Sequence, residues 1–352
     1  IILKIRLANF IHKCLNWEYW PGYIVNIPAF LAWIWYAIKA RHLYFFSAAN
    51  PVIETGGLWG ESKRNILQRI PDEFLPVTIY LPKESTPEYV KAAIDKAGLA
   101  YPVIAKPDIG ERGIFVEKIN SEDELIEYIS KIRPVGVDYL VQEYINFECE
   151  LAVLYYRFPG DSRGEITSIC IKEFLSITGD GITTMKGLIE KVPRARFQLS
   201  ALEQKYGAAL NDILPSGEKK MLVPIGNHRL GTTFLNGADL IDEQLTTVFD
   251  KISLQIEGMY YGRFDMRCKD LDSLREGKTI KILEYNGVGS DPAHIYQPGY
   301  SFFRACRDYF YHWSIIYAVS RKCHLNGISY MTSAEAGLFY SNYKRVMKNM
   351  TS

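Results

Sequence analysis

The stretch Gly262-Arg263-Phe264-Asp265-Met266-Arg267-Cys268, and after it Thr279-Ile280-Lys281-Ile282-Leu283-Glu284-Tyr285-Asn286-Gly287-Val288-Gly289, decides how this chain folds. Both runs read as strands, at residues 262–268 and 279–285, and residues two apart on a strand point to one face. Arg263 and Asp265 therefore share a face, and so do Glu284 and Asn286. If the strands pair, one patch presents two carboxylates, an amide oxygen and a guanidinium. Oxygen donors of this kind hold divalent cations, and a guanidinium beside them steadies developing negative charge. A solvent-facing charged strand pair is the alternative. Against it stand the apolar Ile282 and Leu283 and the glycine run after Asn286, where backbone can approach a ligand closely.

Upstream, Tyr101-Pro102-Val103-Ile104-Ala105-Lys106-Pro107 carries a lysine at the end of an apolar strand. Asp108-Ile109-Gly110-Glu111-Arg112-Gly113 follows as a turn able to fold over phosphates. Alone this is a weak signal, because surface turns often look the same. A second lysine, Lys172, ends the otherwise apolar run Ser168-Ile169-Cys170-Ile171-Lys172. A buried lysine needs an anionic partner, and a phosphate is one.

The remaining pattern alternates strand and helix. Strands are expected at 43–49, 77–81, 103–106, 114–118, 140–144, 150–156 and 168–174. Helices are expected at 61–70, 86–97, 122–131, 185–191, 240–258, 300–322 and 333–348. Ser121 and Glu124 fit a capping box, and residues 50–60 form a glycine-containing loop. A chain of 352 residues with 48% hydrophobic content can bury a large core over two or three domains or subdomains. Lys plus Arg number 41 against 40 Asp plus Glu, so the net charge of +1 argues against a nucleic-acid partner. The six cysteines form no C-x-x-C pair, which fits unreactive thiols in a reducing compartment, and the histidines show no zinc pattern.

Residues 19–38 carry no charge and interleave Trp20, Trp33, Trp35, Tyr23 and Tyr36 with aliphatic side chains. Pro21, Asn26 and Pro28 interrupt the stretch, and Lys39, Arg41 and His42 follow it. Two readings stay open: a segment lying in a membrane interface through residues 17–46, or a buried or homodimer-forming hydrophobic helix. The stretch lacks the small-residue cleavage site of a signal peptide.

Taken in order, residues 101–116, 141–154, 179–191, 263–265 and 282–289 resemble the ATP-grasp superfamily, and within it D-alanine–D-alanine ligase and cyanophycin synthetase. The resemblance covers about residues 76 to 300. It implies an α+β ATP-grasp fold, with two α+β subdomains clasping ATP, a reduced N-terminal α/β unit and a hydrophobic helical N-terminal segment. The implied layout is a helical segment at 1–46, an α/β unit at 47–99, a lid at 100–142, a catalytic subdomain at 143–299 and closing helices at 300–352. It further implies an ATP-dependent ligase joining a small-molecule carboxylate to an amine through an acyl phosphate, located in the cytoplasm or on the inner face of the membrane. Two Mg2+ ions are implied, for which Mn2+ can substitute.

Carried over by position, Lys106 and Lys172 would contact phosphates beneath a loop containing Gly110 and Gly113. Gln142, Glu143 and Ile145 fall where adenine meets the hinge, and Glu150 where a carboxylate takes the ribose. Asp265, Glu284 and Asn286 match metal ligands, and Arg263 matches the arginine that steadies the acyl phosphate. Gly179-Asp180-Gly181-Ile182-Thr183-Thr184 resembles a loop that closes over the site. Glu54, Glu61, Lys63, His228, Arg229, Gly289 and His294 are candidates for binding substrate. For each of these a surface or capping role stays open, and Glu61 suits the first turn of its expected helix. The competing functions are a small-molecule kinase and a membrane-attached nucleotide-binding protein without catalysis.

Overall fold

Residues of two antiparallel sheets line a single cavity in the computed structural model, which describes residues 2–111 and 113–351. Arg112 of the expected phosphate loop lies outside the described residues. The smaller sheet contains β1 (Thr78–Leu81), β2 (Val103–Pro107), β3 (Glu117–Ile119) and β4 (Tyr139–Glu143), in the order β1-β4-β2-β3. Helices Pro87–Lys96 and Glu122–Ile132 cover it. Their apolar stripes, Val90 and Ile94 on one and Leu125, Tyr128, Ile129 and Ile132 on the other, join Val103, Ala105 and Val141 in one core. Both helices start where the sequence indicates. Thr86 accepts from the Tyr89 amide, and Ser121 from the Glu124 amide. Glu124 completes its end of the box one residue early, accepting from the Asn120 amide at 2.7 Å.

The larger sheet contains β5 (Cys149–Arg157) and β6 (Gly164–Glu173), and a short hairpin of β7 (Ser176–Thr178) and β8 (Lys219–Met221) stands apart from it. With β9 (Thr233–Asn236), β10 (Tyr261–Cys268) and β11 (Ile280–Asn286) the order is β11-β10-β5-β6-β9, antiparallel throughout. Helix Glu243–Leu254 covers one face, where Phe249 and Ile252 meet Phe264, Met266 and Tyr285. The opposite face of β5, β6, β10 and β11 is left for the cavity.

Two expectations are corrected. Residues 43–49 are not a strand: Phe45–Ala49 form a 3-10 helix whose five residues are all buried. A run buried on every side has no exposed face to alternate with, so its apolar pattern cannot separate strand from helix. It packs against helix Phe302–Leu325, and Ser320 donates to the Phe45 carbonyl. Residues 47–99 likewise form no separate α/β unit. Their one strand, β1, pairs with β4 in the smaller sheet, while Ile66 and Leu67 enter the core of the larger sheet.

The N-terminal segment is helical as expected, in Ile2–Leu15, Gly22–Val25 and Ile27–Ala40. The small residues Ala32 and Ala37 let the last of these lie close to Ile315, Ile316 and Val319. Among the described residues, no helix is long and apolar enough to cross a membrane.

Candidate active site

The pairing of β10 with β11 sets Arg263 opposite Asn286 and Asp265 opposite Glu284. All four line the cavity, which holds about 350 Å3. The intervening Phe264 and Tyr285 point the other way, their rings 4.8 Å apart in the core. Replacing Phe264 by alanine would cost about 3–5 kcal/mol, so this packing fixes the aim of the polar face. The ladder slips between Asp265 and Met266, leaving Leu283 as the extra residue of a β-bulge. The Leu283 carbonyl accepts from Lys106 Nζ at 2.9 Å, which ties the smaller sheet to β11 one residue from Glu284.

Lys106 also donates to Gln142 Oε1 at 3.0 Å, and Gln142 is held in turn through its Nε2 on Thr78 Oγ1 at 2.9 Å. Burial with only neutral partners pushes the Lys106 ammonium down to about 8, although Glu284 opposes this. Lys172, on β6, behaves oppositely. It stands 3.2 Å from Glu150 Oε1 and 3.7 Å from Asp265 Oδ2. Burial pushes it down, but the Asp265 and Glu150 carboxylates outweigh that and leave it above the usual lysine value. Asp265 is the counterpart: burial pushes it up, Arg263 and Lys172 more than offset this, and its carboxyl sits below the usual range. Arg263 grips it with Nε at 2.9 Å and an NH2 nitrogen at 3.1 Å, and donates also to the Asp291 carbonyl at 3.1 Å.

Arg267 is a site residue that the sequence reading missed. Its Nε donates to Glu150 Oε2 at 2.8 Å, and its other nitrogens reach the Ile145 and Pro224 carbonyls. The same two-residue period that joined Arg263 to Asp265 would have found it. Both oxygens of Glu150 are thereby engaged by cations. Gly226 lies so close that a Cβ there would meet Glu150 Oε1 at 1.8 Å.

Near Glu284, the loop that precedes Ser62 closes over the site. Gly57 and Gly287 touch backbone to backbone, and a Cβ on Gly57 would lie 2.7 Å from the Gly287 Cα. The Val288 and Gly289 amides donate to the Gly56 and Gly57 carbonyls at 3.1 and 2.8 Å. This corrects the expected role of the glycine run: these amides hold a loop, and Gly289 is outside the cavity lining. Glu54 is outside it too, accepting from Asn65 Nδ2 and the Ser62 amide. Ser62, not an earlier residue, caps helix Lys63–Leu67, so Glu61 precedes the helix instead of starting it. Glu61 lines the cavity, and its Oε2 is buried with no hydrogen-bond partner among the described residues. Burial raises its pKa, helped by Glu284 and Glu111 and opposed by its own backbone and Lys63. Lys63 donates to the Gly110 carbonyl at 2.7 Å and stands 3.9 Å from Glu284 Oε1.

The cavity lining also includes Gly110, Gly113, Glu143, Ile145, Asn227, His228 and Arg229. Ile104, Val116, Ile225 and Leu283 give this end an apolar surface suited to a flat ring. Two expected features lie elsewhere. Asp180 accepts from Thr183 and the Ile182 amide in an exposed turn, and residues 179–184 are absent from the lining. His294 sits in a separate network, 2.7 Å from Ser168 Oγ and 3.5 Å from Asp308 Oδ2.

Among the described residues, no group of three or more His, Cys, Asp and Glu is placed to hold a metal. Asp265, Glu284 and Asn286 all line the cavity, but here both Asp265 oxygens are engaged by Arg263, and Asn286 Nδ2 donates to Asp265 Oδ2 at 3.4 Å. By donor type alone, two carboxylates and an amide oxygen fit Mg2+, which takes one or two carboxylates with phosphate oxygens filling other positions.

Fold and site together bring an arginine, two lysines and several acids from two antiparallel sheets to one cavity. No family model matches the chain. One curated relative, the formate-dependent phosphoribosylglycinamide formyltransferase of Saccharolobus solfataricus, is 33% identical over 97 residues, which is 26% of this chain and 24% of the relative. Among solved structures, the chain is similar to D-alanine–D-alanine ligase from Bacillus anthracis, with 16% identity, a TM-score of 0.43, and coverage of 76% of this chain and 69% of the ligase. A bifunctional glutathione synthetase from Pasteurella multocida gives 14% identity and a TM-score of 0.38, covering 71% of this chain and 35% of that one.

Proposed function

We propose that the chain is an ATP-grasp ligase that uses ATP to join a carboxylate to an amine. The observation that supports this most is the meeting of two lysines from different sheets at one acid cluster. Lys106 reaches the Leu283 carbonyl at 2.9 Å, and Lys172 stands 3.7 Å from Asp265. A triphosphate bridging the two sheets would give Lys106 an anionic partner and join the two that Lys172 already has, Glu150 and Asp265. Glu143 and Ile145 would border the adenine, and Gln142 would aim Lys106. Glu150 would hold Lys172 in place between the sheets, in addition to any contact with the ribose.

Asp265, Glu284 and Asn286 would hold Mg2+, which neutralises phosphate charge and polarises the γ-phosphorus. The substrate carboxylate attacks the γ-phosphorus in line, the bond to the bridging oxygen breaks, and ADP departs. The amine then adds to the carbon of the acyl phosphate. Arg263 stabilises the oxyanion, and phosphate leaves with its electron pair. Glu61, whose buried Oε2 has no partner among the described residues, is suited to hold the incoming ammonium and take its proton. His228 and Arg229, on the arm beside the cavity, are suited to a substrate carboxylate.

The test is ADP release by purified protein across paired carboxylates and amines, with the product identified by mass. The reading predicts release that needs both substrates, an amide product, and a hydroxamate when hydroxylamine replaces the amine. A stable phosphorylated product would instead select the kinase reading, and no ADP release with any pair would leave only nucleotide binding.

A further inference from the structure

Two N-terminal helices turn large apolar side chains outward at helical spacing. In Ile27–Ala40 the exposed residues are Ile27, Phe30, Leu31, Ile34, Trp35 and Ile38, a complete stripe along one side. The small residues Ala32 and Ala37 of the same helix face the protein. In Ile2–Leu15 the stripe repeats as Leu7, Phe10, Ile11 and Leu15, with Phe10 66% and Leu15 78% exposed. A soluble surface helix has the reverse arrangement, so these outer faces are built to be covered.

The charges identify what covers them. Residues 1–53 carry Lys4, Arg6, Lys13, Lys39 and Arg41 and a single acid, Glu18. Glu18 is turned inward, 2.6 Å from Arg194 and 2.9 Å from His228 Nε2, with its side chain 7% exposed. It moors the segment to a residue of the cavity wall and leaves the exposed charges described for the segment, Lys13, Lys39 and Arg41, all cationic. A second copy would bring the same cations to the same face, whereas an anionic lipid surface complements them. Tyr23, 77% exposed, and Trp35 are of the type favoured at the headgroup level. Helix Ile27–Ala40, with 14 residues, is about 21 Å long and falls short of the roughly 30 Å of a hydrocarbon core.

We infer that the outer faces of helices Ile2–Leu15 and Ile27–Ala40 lie in the plane of an anionic membrane surface, with the cavity held at a fixed orientation to it. The experiment is flotation of the full chain with phosphatidylcholine vesicles, with and without phosphatidylglycerol. The chain should float with the anionic vesicles, and Phe30→Asn with Trp35→Asn should weaken this at least about tenfold. Lys39→Glu with Arg41→Glu should remove the preference for phosphatidylglycerol, and both pairs should bind ATP as the parent does. Brominated lipid should quench tryptophan fluorescence in the unaltered chain, a readout independent of how the variants fold. Failure of the parent to float on either vesicle, or absence of quenching, overturns the proposal. So does a dimer in solution that the Phe30 and Trp35 changes split, since a second copy would then cover the stripes.

Discussion

Lys106 and Lys172 stand on opposite walls of one cavity and are equally buried, yet their environments are opposed. On the wall of the smaller sheet, Lys106 meets an amide oxygen and a bulge carbonyl, and burial pushes it down to about 8. On the wall of the larger sheet, Lys172 is balanced by Glu150 and Asp265, and its pKa goes up. The difference teaches how the site divides its work. On the larger sheet the buried cations and acids are paired with one another, so their geometry is set without a ligand. On the smaller sheet the contacts of the cation are neutral oxygens, and the proposed triphosphate would supply its anionic partner.

The largest effect expected is on the wall of the larger sheet. In the proposed mechanism Arg263→Ala would remove the cation that steadies the oxyanion, worth about 3 kcal/mol, and should lower turnover roughly a hundredfold or more. Near-normal turnover would take Arg263 out of the mechanism. Next, the same change made to each lysine should separate the walls. Lys172→Met leaves buried Glu150 and Asp265 short of a cation and should destabilise the ligand-free protein by about 3 kcal/mol, read as a lower urea midpoint at constant slope. Lys106→Met removes an incompletely compensated charge and should change that midpoint by less than about 1 kcal/mol, while weakening ATP binding roughly tenfold to a hundredfold. Equal destabilisation by both changes would erase the distinction.

The smallest effect is a proton. Lys106 is partly neutral above about pH 8 in the free protein, and ATP favours its charged form. Binding near pH 8.5 should therefore take up a fraction of a proton, seen by calorimetry in buffers of different ionisation enthalpy, and Lys106→Met should abolish it. Stability carries the matching sign. Between about 8 and the ordinary lysine value of 10.5 the unfolded chain binds more protons at this position, so Lys106 adds stability as pH rises through that window.

The patch of Arg263, Asp265, Glu284 and Asn286 was legible in the sequence because strand alternation is a two-residue rule and both strands obey it where the four residues lie. The bulge at Leu283 was not legible, since an extra residue in a ladder leaves no mark on composition. Without it Ile282 would share a face with Glu284; with it Ile282 and Tyr285 both enter the core. For a similar reason the sequence could not choose between the two readings of Glu61, substrate binder or first-turn residue. Its position before an acceptable helix suggested a favourable first turn, but the hydroxyl of Ser62 takes the cap and turns Glu61 into the cavity. The glycines at 287 and 289 looked ligand-facing, and only the approach of a distant loop reveals that they serve backbone packing.

A crystal structure with Mg2+ and a non-hydrolysable ATP analogue tests the central claim most directly. The account predicts phosphate oxygens within hydrogen-bonding distance of both Lys106 and Lys172, with the metal on Asp265, Glu284 and Asn286. An analogue bound away from either lysine, or a metal held by other residues, would contradict it.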